Sequence, residues 1–280
     1  MRLLDIATYF TSESDVSRIA KGPLADADLR RLYAYPPRPR RPWIRANFVS
    51  SIDGAVSADG VSAGLGTPAD KAVFDVLRSL ADAVLVGAGT VRAENYGGVR
   101  VTDEVRAQRT AAGLTPVPPV VVVTASAGID PDSRLFTDTE VAPIVVTTTS
   151  APSEARTALA AAGARVVEIN GDTVPTSSIL ETLDGLRLHR VLCEGGPGLF
   201  GQLLQDDAVD DVCVTTSPVI VAGRSGRIAH SNTAVLRSLT RAHVVSDEDG
   251  TLLTRWVKHP HESSPGNQHD SSPRREADEK

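Results

Sequence analysis

Two glycine-rich turns carry the residues best suited to binding an anionic ligand. The first turn, Gly87-Ala88-Gly89-Thr90, follows the apolar run Val84–Val86. Glycines let a ligand approach the backbone closely, and the unpaired N–H groups of a helix start attract phosphate or carboxylate. Glu94 follows Thr90 by one helical turn, so a hydroxyl and a carboxylate would face the same crevice. This stretch predicts a strand, a turn and a helix that begins at Thr90; a solvated glutamate on an ordinary helix is the alternative.

The second turn runs from Glu194 to Gly201, after the apolar run that ends at Cys193. Its glycines at 196, 198 and 201 satisfy the G-x-G-x-x-G dinucleotide pattern. The next strand ends in Val214-Thr215-Thr216-Ser217, without the acidic residue that binds a ribose in a Rossmann fold. We therefore expect a phosphate-binding helix start outside a Rossmann fold, and the missing carboxylate suits a cofactor with a 2′-phosphate because like charges repel.

Composition excludes several classes of protein. The chain has 280 residues, of which 41% are apolar, and its net charge is −6. An acidic chain lacks the clustered Lys and Arg that bind nucleic acids or membrane surfaces. No apolar stretch is long enough for a signal peptide or a membrane span, which predicts a cytoplasmic protein. Cys193 and Cys213 lie in apolar runs, and no metal-ligand spacing occurs, so we predict buried thiols and no metal site.

Strands that alternate with helices predict an α/β fold with a mostly parallel, mixed sheet and helices on both faces. A C-terminal antiparallel hairpin is predicted from 242–245 and 252–257 around Asp247-Glu248-Asp249-Gly250. Residues 1–42 are predicted to be an irregular extension with a short helix within 17–33, 43–258 the main domain, and 259–280 a disordered tail. Strands are predicted within 43–52, 83–86, 119–124, 143–147, 165–169, 189–193 and 212–216, and helices within 67–80, 103–112, 153–162, 177–186 and 199–204.

Three motifs in this order resemble the pyrimidine reductase family of riboflavin biosynthesis: Ser51-Ile52-Asp53-Gly54, Leu77-Arg78 with the segment 81–91, and Glu194-Gly195-Gly196-Pro197. That family is the C-terminal, dihydrofolate-reductase-like domain of the bifunctional deaminase–reductase. The resemblance covers Trp43 to Val257 and implies a three-layer dihydrofolate-reductase-like fold and a homodimer. It implies NADPH as the hydride donor and a phosphoribosylamino-pyrimidine as the substrate, reduced to its ribitylamino form. No zinc deaminase signature precedes residue 43.

The resemblance also implies a set of site residues by position. Glu94 and Glu194 are the implied catalytic carboxylates, and Arg78 is expected to bind the substrate phosphate through a charge-assisted bond. The implied cofactor contacts are Ser50, Gly64, Gly87, Thr90, Glu94, Gly195, Gly196, Pro197, Gly198, Leu199 and Phe200. The implied substrate contacts are Ser62, Arg78, Gly98, Arg100 and Glu194.

One segment departs from the family pattern. Asn95-Tyr96-Gly97-Gly98-Val99-Arg100 stands where the family has Asn-Pro or Asp-Pro and then Leu-Thr-x-Arg. The wall that faces the substrate therefore differs, and Arg100 is a shifted candidate for binding the phosphate. Two alternatives stay open: an NADPH-dependent reductase of a pterin or dihydrofolate on the same fold, and an NADPH-binding protein without catalytic activity.

Overall fold

The computed structural model describes residues 1–7, 22–58 and 60–258. Within them, one sheet has the strand order β1-β9-β10-β8-β2-β7-β3-β4-β5-β6. The seven strands from β8 to β6 run parallel, and β10, β9 and β1 pair antiparallel. The strands are β1 (Arg2–Ile6), β2 (Trp43–Ser50), β3 (Ala83–Gly87), β4 (Val120–Val123), β5 (Ile144–Thr148), β6 (Arg165–Ile169), β7 (Arg190–Cys193), β8 (Asp211–Thr216), β9 (Leu239–Ser246) and β10 (Leu252–Lys258).

Helices cover both faces of this sheet, because the central strands are apolar on both sides. Val84 and Val86 of β3 face one buried cluster, and Leu85 faces the other. The predicted three-layer α/β fold with a mixed sheet and a C-terminal hairpin is confirmed. The described helices are α1 (Asp26–Leu32), α2 (Pro68–Leu80), α3 (Ala88–Ala93), α4 (Asp103–Ala111), α5 (Arg134–Thr137), α6 (Ser153–Ala161), α7 (Thr176–Gly185) and α8 (Pro197–Gln205), with a 3-10 turn at Ser62–Leu65.

Helix α2 carries several residues of the site, and its start is capped by a side chain. The Thr67 side chain accepts a hydrogen bond from the Asp70 N–H, and Pro68 occupies the first helical position. Val73, Val76 and Leu77 are buried against the sheet. The helix therefore presents Asp70 and Phe74 to the cleft at the carboxyl ends of the parallel strands.

The N-terminal segment differs from the irregular extension predicted for residues 1–42. Arg2–Ile6 form β1, which pairs with β9 as an edge strand. Helix α1 lies within the range predicted for a helix, and its Leu29 and Leu32 are buried in the core. The segment escaped prediction because an edge strand is specified by its distant partner and has no strong periodicity of its own. The predicted tail, 259–280, lies outside the described residues.

A buried ionic cluster joins the C-terminal hairpin to the central sheet. Asp211 of β8 accepts hydrogen bonds from Arg45 of β2 and Arg255 of β10. Burial raises the pKa of Asp211, but the two guanidinium groups outweigh it and hold the pKa below the usual value. His243 lies beside this cluster, with its ring edge-to-face against Tyr33 at 4.7 Å.

Candidate active site

A cleft opens at the carboxyl ends of β2, β3 and β7, where parallel α/β sheets place their ligands. It encloses a cavity of about 490 Å³. Both glycine-rich turns contribute to its wall, together with the end of β2, the loop before α2 and the exposed side of α2. The lining residues are Asn47, Phe48, Val49, Val56, Ser62, Ala63, Gly66, Asp70, Lys71, Phe74, Thr90, Glu94, Tyr96, Glu194, Gly196, Pro197 and Ile228.

The two glycine-rich turns touch each other at the centre of the cleft. The Gly87 N–H donates a hydrogen bond of 2.8 Å to the Gly195 carbonyl, so that amide is not free for a ligand. A Cβ on Gly196 would overlap the Thr90 hydroxyl, which explains why only glycine fits there. Helix α3 begins at Ala88, two residues before the predicted start. The first N–H groups of α8, which begins at Pro197, have no partner within their helix.

A second cavity of about 620 Å³ lies next to the first. The two are separated where Gly87, which lines the second cavity, approaches the backbone nitrogen of Gly196, which lines the first. It is formed by the start of α3, the end of β4 and one side of α8. Arg92 lines it, and its Nη1 donates to the Gly128 carbonyl, not to a carboxylate. The remaining lining residues are Gly87, Ala88, Gly89, Val123, Thr124, Ala125, Ser126, Thr173, Val174, Pro175, Leu199, Gln202 and Asp206.

Glu194 is held by two side chains that reach it from different elements. Arg78 of α2 donates from Nε and Nη2 to separate carboxylate oxygens, each at 2.8 Å, and the Tyr96 hydroxyl also donates to Glu194. The Arg78 guanidinium stacks on Phe74, 4.1 Å from the ring centroid. Burial lowers the pKa of Arg78, but Glu194 and Tyr96 raise it further, so the cation is firmly ionised. Two of its three nitrogens thus donate to Glu194, where the resemblance implies a phosphate as the partner.

Glu94 directly follows the last residue of α3, and its side chain binds the loop before α2 at the cleft wall. Its Oε1 accepts a hydrogen bond of 3.0 Å from the Ser62 N–H. Both residues line the cavity, as the resemblance implies for a cofactor and a substrate contact. Glu94 therefore fixes the position of the 3-10 turn at Ser62–Leu65 and still presents a carboxylate to a ligand.

Several implied site residues lie away from the two cavities. Ser50 is at the end of β2, where its carbonyl accepts from the Ser217 N–H, and Gly64 packs against Ala58. A Cβ on Gly98 would overlap Thr139, so this glycine serves packing. Arg100 is exposed and pairs with Asp138 and Glu140. Gly195 packs against Phe48, Gly198 faces open space, and Phe200 is buried against Phe48 with ring centroids 4.7 Å apart.

Sequence reasoning missed part of the cleft wall. Asn47 and Phe48 precede the first motif by a few positions and line the cleft from β2. Tyr96 was noted only as a departure from the family, although it contacts Glu194. Asp70 lies within the helix predicted at 67–80 and carries no motif, and Ile228 lies in a long connection without a motif. The position of Asp70 three residues after a cap, on the polar side of α2, is a signal that could have indicated the cleft.

Comparisons with known sequences and structures identify the family and the fold. The profile of the RibD C-terminal domain matches residues 42–253. The chain belongs to the RibD C-terminal domain family. It is 33% identical over 187 residues to the 2,5-diamino-6-ribosylamino-4(3H)-pyrimidinone 5′-phosphate reductase of Methanothermobacter thermautotrophicus, covering 67% of this chain and 82% of the relative. The equivalent reductase of Archaeoglobus fulgidus is 29% identical over 185 residues, covering 66% of this chain and 84% of the relative.

Solved structures show the same fold. A pyrimidine reductase-like protein from Corynebacterium diphtheriae superposes with a TM-score of 0.70 at 27% identity, covering 79% of this chain and 93% of that one. RibD from Acinetobacter baumannii superposes with a TM-score of 0.62 at 19% identity, covering 78% of this chain and 58% of that one. Among the described residues, no helix is long and apolar enough to cross a bilayer, and no His, Cys, Asp and Glu side chains are grouped to hold a metal.

Proposed function

We propose that this chain is an NADPH-dependent reductase that converts the ribosyl group of a phosphoribosylamino-pyrimidine to the ribityl form. The observation that carries the proposal is the pair of adjoining cavities beside the Thr90 and Gly196 turns. The first cavity is lined by three carboxylates, Asp70, Glu94 and Glu194, and by Lys71, and the second by Arg92 and Asp206. Membership of the RibD C-terminal domain family and the names of the two archaeal relatives support the same substrate class.

The residues at the two turns fit a dinucleotide. The glycine at 196 leaves no side chain between the turns, and the free N–H groups at the start of α8 suit the diphosphate. Arg92 of the second cavity would hold the 2′-phosphate of a dinucleotide bound there, which would distinguish NADPH from NADH. The bound cofactor supplies the hydride for C1′ of the opened sugar.

The chain's own side chains orient the substrate and stabilise charge. Glu194, fixed by Arg78 and Tyr96, and Glu94 face the positive charge that develops on the opened ribosylamine. Among the residues that line the first cavity, Lys71 carries the positive charge. Its ion pair with Asp75 is exposed and therefore weak. We assign the substrate phosphate to Lys71 in preference to Arg78 or Arg100, whose guanidinium groups face carboxylates.

The test is oxidation of NADPH by the purified chain, followed by absorbance, with the diamino-pyrimidinone phosphate or its deaminated form as substrate. We expect oxidation that depends on a pyrimidine substrate and gives the ribitylamino product. Dihydrofolate and a pterin serve as comparison substrates, because they represent the alternative reductase on this fold. Turnover of those substrates alone would replace the proposal, and NADPH binding without turnover of any of them would indicate a non-catalytic protein.

The proposed function also includes an expectation for the oligomeric state of the protein and for its cellular compartment. The family resemblance implies a homodimer that works in the cytoplasm. Both cysteines, Cys193 and Cys213, are free and buried, which suits a reducing compartment. Light scattering of the purified chain tests the dimer, for which a mass near 59 kDa (twice the chain mass of 29.5 kDa) is expected.

A further inference from the structure

The cleft contains a third carboxylate, Asp70, that has no role in the arrangement described so far. Asp70 lies in the first turn of α2, where the Thr67 cap fixes its backbone, and its side chain lines the first cavity. Its Oδ2 would lie 3.7 Å from a Cβ built on Gly66. The Thr215 hydroxyl of β8 contacts the carboxyl from the sheet side. The carboxyl group is therefore held in one place at the edge of the substrate space.

Asp70 differs from the other two carboxylates of the cavity in its partners. Glu194 is neutralised by Arg78, and Glu94 accepts the Ser62 N–H. Among the described residues, no cation pairs with Asp70, since the adjacent Lys71 reaches Asp75 at 2.7 Å. A carboxyl group without a cation in an apolar wall retains its proton more readily than a paired one. The charged groups around this cavity are Lys71, Glu94, Glu194 and Arg78.

We propose that Asp70 is the proton donor of the reduction, an assignment that rests on the proposed function of the site. When the sugar ring opens, the C1′–O4′ bond breaks, the ring oxygen gains the proton that the exocyclic nitrogen loses, and C1′ and that nitrogen share a C=N bond. As hydride reaches C1′, the electron pair of that bond moves to nitrogen, which takes the proton from the Asp70 carboxyl. The product is a secondary amine, and the Asp70 carboxylate regains a proton from water at the open mouth of the cleft. Electrons and protons balance with one hydride and one proton consumed.

The electrostatic setting agrees with this role. Burial raises the pKa of Asp70, and the Thr215 hydroxyl lowers it by a smaller amount. An acid whose pKa is raised towards the working pH is an effective general acid. Because the protonated form is the active one, activity should be present below this pKa and decline as the pH rises through it.

The first test compares Asp70→Asn with Asp103→Asn, a matched control at an exposed aspartate in the first turn of α4, outside both cavities. We expect Asp70→Asn to lower kcat by about 10²–10⁴-fold, the usual contribution of a general acid, and to abolish the decline of kcat at high pH. The control should keep both the wild-type kcat and its pH profile. Thr215→Val should move the decline to higher pH, because it removes the group that lowers the pKa of Asp70.

The second test does not depend on turnover. Infrared spectroscopy of the cofactor-free protein should show a protonated-carboxyl band that Asp70→Asn removes and Asp103→Asn leaves in place. This band would persist even if the pyrimidine proved not to be the substrate, which separates the two proposals. A wild-type pH profile in Asp70→Asn, or a band unchanged by that substitution, overturns the assignment. If Asp70→Asn does not fold, an unshifted pH profile in Thr215→Val overturns it.

Discussion

Arg78 and Glu194, 116 positions apart in the chain, form a two-point ion pair in which Nε and Nη2 each lie 2.8 Å from a carboxylate oxygen. The pair joins the last turn of α2 to the turn after β7. Both side chains are mostly shielded from water, with exposures of 17% and 5%. Arg78 thus acts by holding Glu194 at the cleft wall, and this assignment has consequences for both stability and turnover.

Arg78→Ala should leave Glu194 buried without its cation. We expect the free energy of unfolding to fall by about 3 kcal/mol, because breaking a buried pair leaves an uncompensated charge. Urea denaturation measures this loss. Arg106→Ala, which breaks an exposed pair with Glu140, should cost less than about 1 kcal/mol and is the control. Equal losses in the two variants would show that the Arg78 pair is not structural.

Two substitutions separate the two roles of Glu94, its negative charge and its hydrogen bond to the loop at Ser62. Glu94→Gln keeps an oxygen that accepts the Ser62 N–H but removes the charge, so we expect kcat to fall by about 10²-fold with little change in KM. Glu94→Ala also releases the loop and should raise KM as well. Steady-state kinetics of both variants test this expectation. A wild-type kcat in Glu94→Gln would leave Glu94 with the loop-holding role alone.

Arg92 should determine the choice between the two nicotinamide cofactors. Arg92→Gln removes the cation of the second cavity, so we expect the KM for NADPH to rise by about 10-fold or more while the KM for NADH stays the same. Arg134→Gln is the control, since this arginine pairs with Asp138 outside both cavities. If the NADPH preference survives in Arg92→Gln, the 2′-phosphate lies elsewhere.

His243 should make stability depend on pH in the mildly acidic range. Burial, and then the nearby Arg255, lower the pKa of His243 to about 3 from an ordinary value of 6.5. Between about pH 3 and pH 6.5, His243 is therefore protonated in the unfolded chain and neutral in the folded chain. The free energy of unfolding consequently decreases as the pH falls below about 6.5. In this range the free energy of unfolding should fall by up to about 1.4 kcal/mol for each pH unit, because the two states differ by at most one proton at this side chain.

Denaturation of His243→Gln and wild type between about pH 4.5 and 6.5 checks this expectation, since this window lies below the ordinary pKa of histidine. The variant should have a flatter stability profile, whatever constant loss it suffers from repacking against Tyr33. His189→Gln, at a partly exposed histidine, should retain the wild-type slope. Parallel profiles for wild type and His243→Gln would assign the acid sensitivity to other groups.

The sequence predicted the central elements because their signals are local. The consecutive valines of β4 and the Thr67–Pro68 start of α2 each specify their structure within a few residues, and both lie where predicted. The dinucleotide pattern was less informative. Gly196 is required by Thr90, Gly198 faces open space, and a Cβ on Gly201 would overlap the His230 carbonyl. Of three glycines spaced as in a fingerprint, two therefore have unrelated steric reasons and Gly198 has none.

Four residues singled out from the sequence, Thr90, Glu94, Glu194 and Gly196, line one cavity, and their roles as site residues stay a prediction. What the sequence could not give was the direction of charged side chains. Arg78 and Arg100 were both expected at a phosphate, but each finds a carboxylate that is distant along the chain. Such pairings depend on tertiary packing and leave no mark in the spacing of residues.

The strand order has a consequence for how this chain is made. Strand β1, at the beginning, pairs with β9, and β10, which ends at Lys258, is inserted between β9 and β8. This end of the sheet cannot close before Lys258 has left the ribosome. The edges of β1 and β2 therefore stay unpaired during synthesis until these later strands are made. During that time, aggregation or binding by a chaperone competes with folding.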